Sequence, residues 1–315
     1  MWISDTHCDA LTRMGDQPVD LRVEQPDRHI DLPRLFAGQV GLQTFAMWVP
    51  QHAKPFGLRD VLVHEWTLFK HAIASLPEVE WVRSREQVRE PSRGHLLALL
   101  SIEGVGSAGA PEWLELFFEA GVRMVSLVWN ERNELADGAG QPHPGGLTEA
   151  GIAAVEKIES LGMVLDVSHL SDPSFWDVIR FSHRPLLASH SNARRLCPHR
   201  RNLSDEALRA IADRGGVVSV TMEPDFLRID GQASLQDIVD QVCYLRNLIG
   251  SEAIGFGADF DGVDTLPQGV QGPDAYPRIL QALQQAGIAE NELEAMAHGN
   301  HERLLREVLP SENVA

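Results

Sequence analysis

Residues 163–191 read MVLDVSHLSDPSFWDVIRFSHRPLLASHS. Two apolar runs, 163–167 and 185–188, each lead into a histidine, His169 and His190. Between them Ser171-Asp172-Pro173 precedes an amphipathic run to about Ser182. Asp172 is expected as the N-cap and Pro173 as the first helical residue, where a missing N–H costs nothing. The stretch predicts strand, helix, strand, with a histidine beyond the carboxyl end of each strand. Parallel α/β sheets bind their ligands at that end. A single histidine there is ordinarily a structural hydrogen bonder. Two in successive units make the other strand ends worth reading.

Upstream, a short apolar stretch ends in Asp5-Thr6-His7-Cys8-Asp9, and the strand period of two places His7 and Asp9 on one face. Strands are also expected at 41–49, at 95–102 (delivering Glu103 and then Gly104) and at 122–129. Burying a carboxylate such as Glu103 behind so apolar a run is costly without a cation or donor. Helices are expected at 58–75, 111–120 and 147–161, the last closed by Gly162. His64 and His71 share a face of the first of these with no acid beside them, and read as surface or packing residues.

Downstream come a basic segment containing Arg194, Arg195, Arg200 and Arg201, a helix at 205–214 and a strand at 215–221. A helix at 235–249, a strand at 253–257 delivering Asp259-Phe260-Asp261-Gly262, and helices at 277–286 and 290–309 complete the chain. The basic segment is either a solvated turn or holds an arginine aimed at a substrate carboxylate. Eight strands alternating with helical or connecting segments, without a composition break, predict one domain over residues 1–315, a (β/α)8 TIM barrel. A doubly wound sheet is the alternative, but no GxGxxG or Walker A run supports it.

The chain carries 45 acidic and 27 basic residues, a net charge of −18, which argues against nucleic acid and anionic membranes as partners. No apolar run approaches the ~20 residues that cross a bilayer. MWISDTHCDA at the N-terminus has neither a basic region nor a long apolar core, so no signal peptide is expected. Three cysteines without CxxC spacing fit a reducing cytoplasm.

Five of the eight expected strands end in a metal-type or acid/base residue: His7 with Asp9, Glu103, His169, His190 and Asp259. In a barrel these ends face one mouth. Three imidazoles and two or more carboxylates exceed what one four-coordinate zinc with an open position needs. They suit two metals, which lower the pKa of a bridging water and polarise a carbonyl for amide or ester hydrolysis. A further carboxylate would serve as base toward water and acid toward the leaving amine.

The chain resembles the membrane (renal) dipeptidase family of zinc dipeptidases, peptidase family M19, over nearly its whole length. The resemblance rests on Asp5-Thr6-His7-Cys8-Asp9, Leu32-Pro33-Arg34-Leu35 with Gly38 and Gly41, Glu103-Gly104, Asp166-Val167-Ser168-His169 and Ser189-His190-Ser191. It continues through Arg200-Arg201-Asn202, residues 255–262 (GFGADFDG) and Gly299-Asn300. It implies two Zn2+ per chain, one held by His7, Asp9 and a bridging Glu103, the other by Glu103, His169 and His190. It further implies Asp259 as proton shuttle, in preference to Asp261, and Arg201 on the carboxylate of a small dipeptide, with tolerance of a C-terminal D-residue. Family members are often dimers, so a homodimer is an expectation. One departure is visible: where mammalian-type members carry a histidine near the scissile carbonyl, this chain has Trp129 followed by Asn130. An indole offers only an N–H and a stacking face, so carbonyl polarisation would fall to the metals or to Asn130, unless Trp129 is simply pocket wall. The alternatives are the same barrel acting on a lactone, an acyl-amino acid or a phosphoester, and a non-catalytic barrel that binds metal or peptide.

Overall fold

The computed structural model describes residues 1–15, 19–48, 57–108 and 111–312. Its strands are β1 (Ile3–Cys8), β2 (Val40–Trp48), β3 (Val79–Val82), β4 (Leu96–Glu103), β5 (Met124–Ser126), β6 (Val164–Asp166), β7 (Leu187–Ala188), β8 (Val217–Val220) and β9 (Ile254–Phe256). All pairings among them are parallel. Eight strands close a ring. β2 pairs with β1, β1 with β9, and the order then descends to β4, which returns to β2 from Leu42↔Leu97 to Trp48↔Glu103. With helices between the strands, this is the expected (β/α)8 barrel.

β3 lies outside the ring, paired to the first half of β4 from Val79↔Leu96 to Val82↔Leu99, while β5 pairs at Ser101 and Ile102. Sequence reading did not anticipate β3, because its VEWV is short and mostly half-buried and carries no apolar run. The expected strand at 41–49 is β2, its last residue Val49 lying outside the described residues, as do residues 313–315 of the expected domain.

β4 shows how the barrel separates its two ends. Leu97 and Leu99 face the lumen, in an apolar cluster with Leu42, Met124, Val164, Leu187 and Val217. Leu304, Leu305 and Val308 of the helix Asn300–Val308 belong to the same cluster and close the floor. The same period of two carries Ser101 and then Glu103 inward, so the lumen turns polar toward the carboxyl ends of the strands.

Two helix starts bear on the site. Thr148 caps the helix Glu149–Leu161, and Gly162 ends it in the left-handed conformation at φ 73°, as expected. The helix between β6 and β7 spans Asp172–Phe181, and its N-cap is Ser171, not Asp172. Ser171 has the extended backbone of a cap, with its hydroxyl accepting the Ser174 N–H. Asp172 is instead the first helical residue, and its carboxylate takes both ends of the Arg194 guanidinium at 2.7 Å. The expected 58–75 helix is α-helical over Leu58–Leu68 and continues as a π turn over Phe69–Ile73.

Candidate metal centre

Parallel strands bring every expected ligand to the mouth. His7 lies on β1, and Asp9 follows as the first cap of the helix Ala10–Met14, with its N–H donated to Phe260 O. Glu103 is the last residue of β4, and Gly104 turns the chain away at φ 82°. His190 lies two residues past β7. His169 and Asp259, each three residues beyond a strand, hold left-handed backbones at φ 70° and 67°. Such angles are uncommon for non-glycine residues and concentrate at functional sites.

Strand alternation has ended before Asp259, so period two does not turn Asp259 and Asp261 the same way. Asp261 also has positive φ, and its carboxylate accepts the backbone N–H groups of His29 at 2.6 Å and Ile30 at 3.3 Å. It clasps that loop, leaving Asp259 as the acid of the pair beside His7. At Gly262 a Cβ would run into the carboxylates of both Asp259 and Asp9, so only glycine lets the two acids close together.

Ligand atoms of His7, Glu103 and His190 lie within 4.8 Å of one another, as do those of His7, Asp9 and Asp259. His7 Nε2 is 3.2 Å from Asp9 Oδ2 and 3.6 Å from Asp259 Oδ1. Glu103 Oε1 is 2.6 Å from His169 Nε2 and 3.6 Å from His190 Nε2, and those two nitrogens are 2.7 Å apart. The outer nitrogens are already occupied, His169 Nδ1 against Asn130 Oδ1 at 3.0 Å and His190 Nδ1 against Ser189 Oγ at 2.7 Å. Glu103 Oε1 is nevertheless buried without an aligned hydrogen bond. Three acceptors thus converge on one buried space, and a cation is what such a space fits.

Electrostatics agree. Burial would lower the His7 imidazole, but Asp9, then Glu103 and Asp259, hold it up at about 10. Burial drives His190 and His169 well below the ordinary range, with cationic neighbours adding to it. Burial likewise raises Glu103, opposed by His7 and Arg201. Asp259 is pushed well above the usual carboxylate range by burial, with Asp9 and Glu103 adding and His7 opposing.

Of the basic segment, Arg194 is paired with Asp172 and Arg200 is exposed, but Arg201 is buried. Its Nη2 donates weakly to His190 O at 3.5 Å, its guanidinium lies 5.4 Å from the Phe226 ring centroid, and its Nε is buried without a partner. Burial lowers it to about 10 against the pull of Glu103 and Asp259. Trp129 is half-buried, its ring centroid 6.1 Å from that of His169 and 5.2 Å from that of Trp48. Asn130 turns its carbonyl to His169. His64 and His71 are exposed, and His64 Nε2 meets Gly15 O.

A sequence profile of the membrane dipeptidase family, peptidase family M19, matches residues 1–314. The chain belongs to that family. It is 32% identical over 296 residues to the dipeptidase aclJ of Aspergillus oryzae, covering 89% of this chain and 70% of that one. Among solved structures, dipeptidase AC, a metallopeptidase of family M19, superposes with TM-score 0.89 at 29% identity over 99% of both chains. A metallopeptidase from Rhodobacter sphaeroides, solved with a phosphinate mimic of the dipeptide L-Ala-D-Ala, superposes with TM-score 0.85 at 28% identity, covering 98% of this chain and 99% of that one.

This M19 chain is therefore a hydrolase of a metallopeptidase family. Among its described residues no helix is long and apolar enough to cross a membrane, whatever the family's name suggests. Two residues quoted only as parts of the family motifs, Asp166 and Ser189, prove to stand behind the site, Ser189 on His190 and Asp166 on Ser189. Asp166 had a signal, since it closes an apolar strand as Glu103 does. Ser189 had only its place in the Ser189-His190-Ser191 motif, which does not say what its hydroxyl touches.

Proposed function

We propose that the chain is a binuclear zinc dipeptidase, with two ions per chain held by His7, Asp9, Glu103, His169 and His190. The observation that carries this reading is the convergence of buried acceptors around Glu103 Oε1 with a buried, partly unsatisfied Arg201 beside them. Imidazole and carboxylate donors suit zinc. Two divalent ions held there would lower the pKa of water toward neutrality and offset the charge that develops on the scissile carbonyl oxygen.

The chain's own groups do the rest. Arg201 receives the free carboxylate of the dipeptide, for which a planar guanidinium with a spare Nε–H is suited. Asp259, raised by its burial, takes a proton from the attacking water and returns it to the leaving amine. Asn130 and Ser189 hold the outer nitrogens of His169 and His190. The L-Ala-D-Ala mimic bound by the Rhodobacter relative supports tolerance of a C-terminal D-residue. The unpaired Cys8, Cys197 and Cys243 support a reducing, cytoplasmic setting.

A panel of L,L- and L,D-dipeptides incubated with the purified chain, before and after chelation, tests this. Cleavage of both series that disappears on chelation and returns with zinc is expected. A second reading, hydrolysis of a lactone or acyl-amino acid by the same centre, is favoured by Trp129 standing where a histidine is expected. Turnover of those substrates with every dipeptide left intact would establish it instead.

A further inference from the structure

We propose that Asp166 and Ser189 form a positioning pair that sets which nitrogen of His190 carries the proton, keeping Nε2 bare for a metal ion. The inference rests on the mouth being a metal centre. It starts from a count of protons. Asp166 Oδ1 accepts the backbone N–H groups of Ser168 at 2.9 Å and Ser189 at 3.0 Å, and Oδ2 accepts the Ser189 hydroxyl at 2.6 Å. A hydroxyl has one proton, and a carboxylate can only accept. The Ser189 proton therefore lies toward Asp166, the nearer and charged acceptor, in preference to Ser168 Oγ at 3.3 Å.

At the 2.7 Å contact between Ser189 Oγ and His190 Nδ1 the imidazole must then be the donor. A neutral ring has one N–H, so Nε2 is left with its lone pair facing Glu103 and His169. Partners of this kind behind a ligating histidine fix its tautomer and orientation. The pair is also rigidly placed. Ser168 Oγ accepts the His190 backbone N–H at 3.1 Å, and Thr6 Oγ1 donates to Ser189 O at 2.5 Å. His169 is held differently, by the side-chain oxygen of Asn130 at 3.0 Å.

The arrangement makes a nearly isosteric change the more damaging one. In Asp166→Asn the side-chain oxygen must stay on the Ser168 and Ser189 backbone N–H groups, since an NH2 there would set donor against donor. The NH2 then faces Ser189 Oγ, the hydroxyl proton turns to His190 Nδ1, and the imidazole proton moves to Nε2. Ser189→Ala removes the link without imposing the wrong tautomer.

Two measurements test this on the full chain. Long-range 1H–15N correlation spectra of the chelator-treated wild type should show His190 as the Nδ1–H tautomer, and Asp166→Asn should show Nε2–H. Competition with a chromophoric chelator should find the affinity for one of the two zinc ions lowered about 10- to 100-fold in Ser189→Ala, and lowered further in Asp166→Asn. An Nε2–H tautomer in the wild type overturns the proposal, and that spectrum needs no variant to fold. Two zinc ions bound by both variants as tightly as by the wild type also overturn it. A wild type that binds no zinc overturns the metal reading itself, while the spectra still decide the tautomer.

Discussion

At the floor of the barrel His301 sits 2.6 Å from Ser4 Oγ through Nδ1, and burial alone drives its pKa down to about 3. At the mouth His7, His169 and His190 are as deeply buried, but Asp9, Glu103 and Asp259 are buried or nearly so among them. The floor imidazole, carried by the helix Asn300–Val308, is simply held neutral. The mouth imidazoles share their space with carboxylates whose combined pull holds His7 at about 10 despite its burial. One lone buried histidine costs some acid stability and does nothing more. Several, placed with carboxylates at one end of a parallel barrel, make a place that suits a cation.

The largest expected effect that sharpens this contrast comes from Asp259→Asn. If Asp259 moves protons, kcat for dipeptide cleavage should fall by about 10²- to 10⁴-fold, with zinc content unchanged by elemental analysis. Loss of one zinc per chain would instead make Asp259 a ligand beside His7 and Asp9.

How far the mouth was legible in advance follows from what kind of contact each residue makes. His7, Glu103, His169 and His190 could be read because an apolar run announces its strand, and a parallel barrel puts every strand end on one side. The preference for Asp259 over Asp261 came from the family resemblance alone, since its physical basis is left-handed backbone past β9 and a clasp to residues 29 and 30 far away in sequence. Asn130 was expected to face substrate and is turned to His169, a contact between two loops that no periodicity encodes. At the other end a helix over 290–309 was expected, but not that it would put His301 against Ser4.

Arg201→Ala comes next in size. Loss of a charge-assisted contact of about 1.5–3 kcal/mol should raise KM for dipeptides by roughly 10- to 100-fold, and leave a C-terminally amidated dipeptide or a neutral ester little affected. Equal effects on both would remove Arg201 from carboxylate recognition.

The smallest effect belongs to the floor. Above pH 6.5 His301 is neutral whether folded or unfolded. Between that value and about 3 the unfolded chain takes up a proton that the folded one does not, so stability falls as pH falls. The slope contributed is at most about 1.4 kcal/mol per pH unit. Urea unfolding of His301→Gln should therefore be less steeply dependent on pH between 6.5 and 4.5 than that of the wild type, whatever its stability at neutral pH. Parallel curves would contradict the account of the floor.

The central claim is that the mouth is a two-metal site on which cleavage depends. Chelator-stripped protein titrated with zinc, with bound metal and dipeptide hydrolysis followed in the same samples, tests it most directly. The account predicts that activity returns with zinc and saturates near two ions per chain. Full activity at zero or one ion, or two ions bound without cleavage of any dipeptide, would contradict it.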